Sequence, residues 1–61
     1  MQRIGKDVWA AAIEFGLRMI ITDGLAADTA AHIIATRSAF DSKHEARLVK
    51  DLRKRTNGIT L

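Results

Sequence analysis

A chain of 61 residues and 6.7 kDa holds one small domain, with no room for two cores, a dinucleotide-binding fold or a barrel. Apolar residues make up 48% and charged residues 28%, a globular balance too apolar for a disordered tail. A net charge of +3, with an isoelectric point near 10.0, is a mild basic bias rather than an extreme one.

The chain has no cysteine, which excludes disulfides, thiolate nucleophiles and thiol-ligated metals. At this size the hydrophobic gain and the conformational cost of folding nearly cancel. Self-association is the remaining common means of stabilisation, so a homodimer is expected. Residues 8–21 are apolar except for Glu14 and Arg18. That stretch is too short to span a bilayer and too charged for a signal-peptide core, so a soluble cytoplasmic protein without a membrane partner is expected.

Proline is absent, so helices end where glycine and capping residues end them. Asp23-Gly24, Asp41-Ser42 and Asn57-Gly58 are the breaks, with Gly24 and Gly58 suited to the left-handed position past a helix end. Ser42-Lys43-His44-Glu45 has the pattern of a capping box, in which the serine accepts an early amide and Glu45 reaches back. The pattern predicts an all-α domain of three helices near 6–22, 25–40 and 43–56, with short arms at both ends.

On a wheel of about 100° per residue, Asp7, Ala11, Glu14, Arg18 and Thr22 of the first helix share a narrow arc. Apolar residues fill the other two-thirds or so, about twice what a surface helix of a monomer needs. Two short neighbours should leave part of that arc uncovered. Trp9, Ala12, Ile13, Gly16, Leu17 and Ile20 are therefore the expected dimer interface, with Ala12 and Gly16 permitting close backbone approach. Trp9, Phe15 and Met19 could also anchor a partner, but their place in the arc favours core or interface.

The second helix is apolar through Ala26, Ala27, Ala30, Ala31, Ile33, Ile34, Ala35 and Phe40. Ala27, Ala31 and Ala35 form a stripe of small residues that suits close helix contact. Arg37 is the one charge within that arc, its head expected to reach water or Asp41. His32 stands one turn after Asp28, and His44 stands beside Glu45; both are expected to be solvated. Two histidines on different helices fall short of a metal site. Ser38 and Ser42 lack a base partner, and no glycine loop cradles phosphate, so neither catalysis nor a cofactor or small-molecule substrate is expected.

The third helix is strongly polarised. Leu48, Val49 and Leu52 form its apolar seam, and Lys43, Arg47, Lys50, Arg53 and Lys54 lie opposite. Residues 43–55 hold six basic and two acidic side chains, a net +4 against +3 for the whole chain. The entire basic excess sits there. Clustered cations of this kind bind polyanions through counterion release. A plain solvated helix explains part of the pattern, since cations near a helix C-terminus are favourable and Asp51 is spaced to pair with Arg47 and Arg55.

Two DNA-binding arrangements fit poorly. A helix-turn-helix over residues 16–35 would put Ile20 where a small residue is usual and Asp23 where an apolar one is. Its second helix would show Ala26, Ala27, Asp28 and His32 to the groove, with no side chain suited to reading base edges. A ribbon-helix-helix needs a strand before the first helix, where only Ile4 points inward and Gly5 weakens pairing. No aromatic residue interleaves the basic ones for base stacking.

The expected function is a small non-enzymatic DNA-associated or regulatory protein whose Lys43, Arg47, Lys50, Arg53 and Lys54 contact phosphates. The alternative is a protein-binding module, an inhibitor or adaptor that docks helices on an acidic partner surface. A structural subunit of a larger assembly is a third class. Ile59 and Leu61 could fold back on the core or pair with another chain.

Overall fold

Gly24 takes the left-handed conformation, φ 70° and ψ 22°; its amide donates to the Ile20 carbonyl, and the Leu25 amide donates to that of Met19. That turn closes α1, Lys6–Asp23, which begins on Gly5 without a side-chain cap. It is followed by α2, Ala27–Ser38, and α3, Ser42–Thr56. These elements come from a computed structural model that describes residues 3–57. The fold is a compact all-α three-helix domain, without strands among the described residues. Gly58, Ile59 and Leu61, for which a cap and a returning arm were expected, lie outside those residues.

The second helix is shorter at both ends than the pattern predicts. After the left-handed Gly24, Leu25 and Ala26 stay outside the helix, with Ala26 extended at φ −71° and ψ 155°. At the other end Ala39 adopts φ 58° and ψ 37°, the one non-glycine residue with positive φ among those described. The turn it makes lets the Phe40 amide close on the Ala35 carbonyl at 2.9 Å. It also frees the Phe40 ring to stack on Trp9, centroid to centroid 6.1 Å.

The start of α3 corrects the expected capping box by one residue. Asp41, not Ser42, is the N-cap, and its Oδ1 accepts the His44 amide at 2.9 Å. The same oxygen lies 2.6 Å from His44 Nδ1. These contacts hold the Asp41 carboxyl below the usual carboxylate range, the His44 backbone amide contributing most. Glu45 does not reach back either; its carboxylate lies 3.4 Å from His32 Nδ1 on α2.

Each helix packs on both others around Ala12, Ile13, Ala30, Ala31, Ile34, Ala35, Leu48 and Leu52. Leu48 and Leu52 are fully enclosed. The alanines of α2 bring the helices close enough for two leucines of α3 to reach the centre. Gly16 makes the same allowance from α1: a Cβ there would fall 2.7 Å from Leu52 Cδ1 and 3.3 Å from Ile34 Cδ1. Gly16 therefore admits a leucine side chain of its own chain, rather than a second backbone.

This packing divides the residues expected at a dimer interface. Ala12, Ile13 and Gly16 are buried in the core of the same chain. Trp9, Leu17 and Ile20 are half-buried against the core. The large apolar side chains of α1 that do face outward are Val8, Phe15 and Ile21.

Candidate functional site

The third helix positions its cations by spacing. Lys43, Arg47, Lys50 and Lys54 recur at i, i+4, i+7 and i+11, so they form one row, about 16 Å long at 1.5 Å per residue. Arg53 flanks the row. All five are exposed, opposite the enclosed Leu48 and Leu52.

The two carboxylates of α3 are not on that side. Asp51 turns toward α1, where Trp9 Nε1 donates to its Oδ2 at 3.2 Å. Glu45 turns toward α2 and His32. Both acidic residues are half-buried. Ser42 and Ala46 are the only exposed residues of α3 that are not cationic. Every fully exposed charge on α3 is thus positive, although its sequence contains two acidic residues.

Arg47 is exposed yet also meets α1. Its guanidinium carbon lies 5.3 Å from the centre of the Trp9 ring, a cation–π distance. The indole is also edge-on to His44 at 6.4 Å and stacked on Phe40. His44, Arg47 and Asp51 are spaced three and four apart, so one face of α3 meets Trp9. The pairing of Asp51 with Arg47 and Arg55 gives way to the indole contact. His44 is correspondingly not a solvated side chain, being 19% exposed within this cluster. His32 stays exposed, but its partner is Glu45 rather than Asp28, whose Oδ1 accepts the Thr29 amide at 3.0 Å.

Two further cations, Lys6 of α1 and Arg55 of α3, meet beside this face. They line a hollow between α1 and α3 together with Trp9, Ala10, Ile13, Glu14 and Leu17. Their separation in sequence hides this meeting, and only the i, i+4 continuation from Asp51 to Arg55 hints at it. Arg37 is exposed, as expected of a head that reaches water, and borders a hollow between α1 and α2 with Phe15, Met19, Ile34 and Ser38. Among the described residues, no three His, Asp or Glu side chains are placed to hold a metal ion. Nor is any described helix long and apolar enough to cross a membrane. No protein-family model, curated protein or solved structure matches the chain.

Proposed function

We propose that this chain is a small non-enzymatic protein that binds duplex DNA through the phosphate backbone, with Lys43, Arg47, Lys50, Arg53 and Lys54 as the contacts. One observation carries the reading: every fully exposed charge on α3 is positive, because Asp51 turns to Trp9 on α1 and Glu45 to His32 on α2. A row of cations at successive turns matches a line of phosphates and releases the counterions condensed on them. Such contacts give affinity and register without base preference. A symmetric dimer presents two rows to one duplex.

Gel shift of a labelled duplex at low ionic strength tests the reading. The wild-type chain shifts it in a salt-sensitive way, and Lys50→Glu with Arg53→Glu lowers affinity about tenfold or more. Lys50 and Arg53 suit the test because both are exposed, whereas Arg47 also supports Trp9. Absence of any salt-sensitive shift for wild type excludes the function.

A second reading, a module that docks on an acidic protein, draws on the outward Val8, Phe15 and Ile21, each more than half exposed. A nuclease-treated pull-down separates the two. One stoichiometric acidic partner that survives the nuclease supports the module, and loss of all bound material supports nucleic acid.

A further inference from the structure

The side of α1 that α2 and α3 leave uncovered is a strip rather than scattered residues. Val8 and Phe15 are 53% and 55% exposed, with exposed Ala11 between them. Positions 8, 11 and 15 lie at i, i+3 and i+7 and run about 10 Å along one face. Half-buried Met19 continues the strip to the hollow beside Arg37. Along one edge stand Asp7 and Glu14, with Arg18 beyond them toward the C-terminal end. Glu14 and Arg18 are 3.9 Å apart and both largely exposed.

We propose that this strip is a self-association face, on which two copies pair their α1 helices antiparallel across a twofold axis. Asp7 and Arg18 are complementary only in that sense; the two Glu14 carboxylates come near the axis, each with Arg18 of its own chain 3.9 Å away. A twofold axis perpendicular to antiparallel helices keeps the charged edge of one beside that of the other. Asp7 of each copy then stands opposite Arg18 of the other, and within one residue of that register each Phe15 ring meets Ala11 of the other copy. Bulk meets a small residue, and carboxylate meets guanidinium. The row on α3 cannot serve, since cations would face cations. The strip is one helix wide, less than the roughly 800 Å² per partner of standard stable interfaces, so the dimer is weak and exchanges readily. The inference does not rest on DNA contact, and its test contains no nucleic acid.

Sedimentation equilibrium of the full chain over a range of concentrations provides the test. The mass rises from 6.7 kDa toward twice that value. Phe15→Asp raises the dimer dissociation constant about tenfold or more, as loss of a central aromatic anchor does. Arg18→Glu weakens the dimer by placing like charges together, and adding Asp7→Arg restores it. Circular dichroism checks that each variant keeps wild-type helicity; the Arg18 and Asp7 variants change only exposed positions, so they carry the test should Phe15→Asp misfold. A mass fixed at 6.7 kDa at the highest concentration overturns the proposal. So does a mass that climbs past the dimer, or an Arg18→Glu variant that associates like wild type.

Discussion

Asp41 shows how much one side chain decides at the α2–α3 turn. Asp and Ser are both good N-caps and stand side by side, so residue preference alone does not choose between Asp41 and Ser42. The carboxylate wins because it also meets the His44 ring, which Ser42 could not do from inside the first turn. Its pKa in the folded chain lies below the unfolded value, so its stabilising contribution is complete above the ordinary carboxylate value near 3.8. That contribution is lost as pH falls through the lowered folded value. Asp41→Asn keeps a cap but removes the titration. Thermal melts from neutral to acidic pH therefore show wild type losing its advantage over Asp41→Asn on acidification, whereas Asp41→Ala is less stable than both at neutral pH.

At the scale of elements, the end of α2 departs furthest from what the pattern predicts. Ala39 pays for a left-handed turn that glycine would make freely. Ala39→Gly is expected to raise stability by about 0.5–1 kcal/mol, measured by urea denaturation. Three helices and the Gly24 stop were readable from the sequence because glycine and apolar period act locally. The trimmed ends of α2 were not, since alanine marks neither Ala26 nor Ala39 as a boundary. A wheel likewise shows that α1 is apolar over most of its circumference, but not which part its neighbours cover. That choice fell on Ala12, Ile13 and Gly16, the small or central residues against which Leu52 and Ile34 could pack. The basic face of α3 was legible by spacing. What cleared it of negative charge was not, because the Trp9–Asp51 contact joins residues 42 apart in sequence. Arg47 marks the difference between the two kinds of information. Arg47→Ala should cost about 0.5–1 kcal/mol of stability through the lost cation–π contact, as well as affinity for DNA. Lys50→Ala lowers affinity and leaves the denaturation midpoint in place.

The whole molecule joins a small core to two outward surfaces of opposite kind. The α2 alanines and Gly16 let three short helices close around Leu48 and Leu52, and that closure turns Asp51 to Trp9 and Glu45 to His32. Folding itself thus leaves every fully exposed charge on α3 positive; the unfolded chain has the same charges without their segregation. The most direct measurement of this claim is the salt dependence of duplex DNA binding by fluorescence anisotropy. Five phosphate contacts predict a slope of log K against log salt between about −4 and −5, and Lys50→Ala with Arg53→Ala makes it shallower by about two. A slope near zero, or one unchanged by the double replacement, would contradict the account.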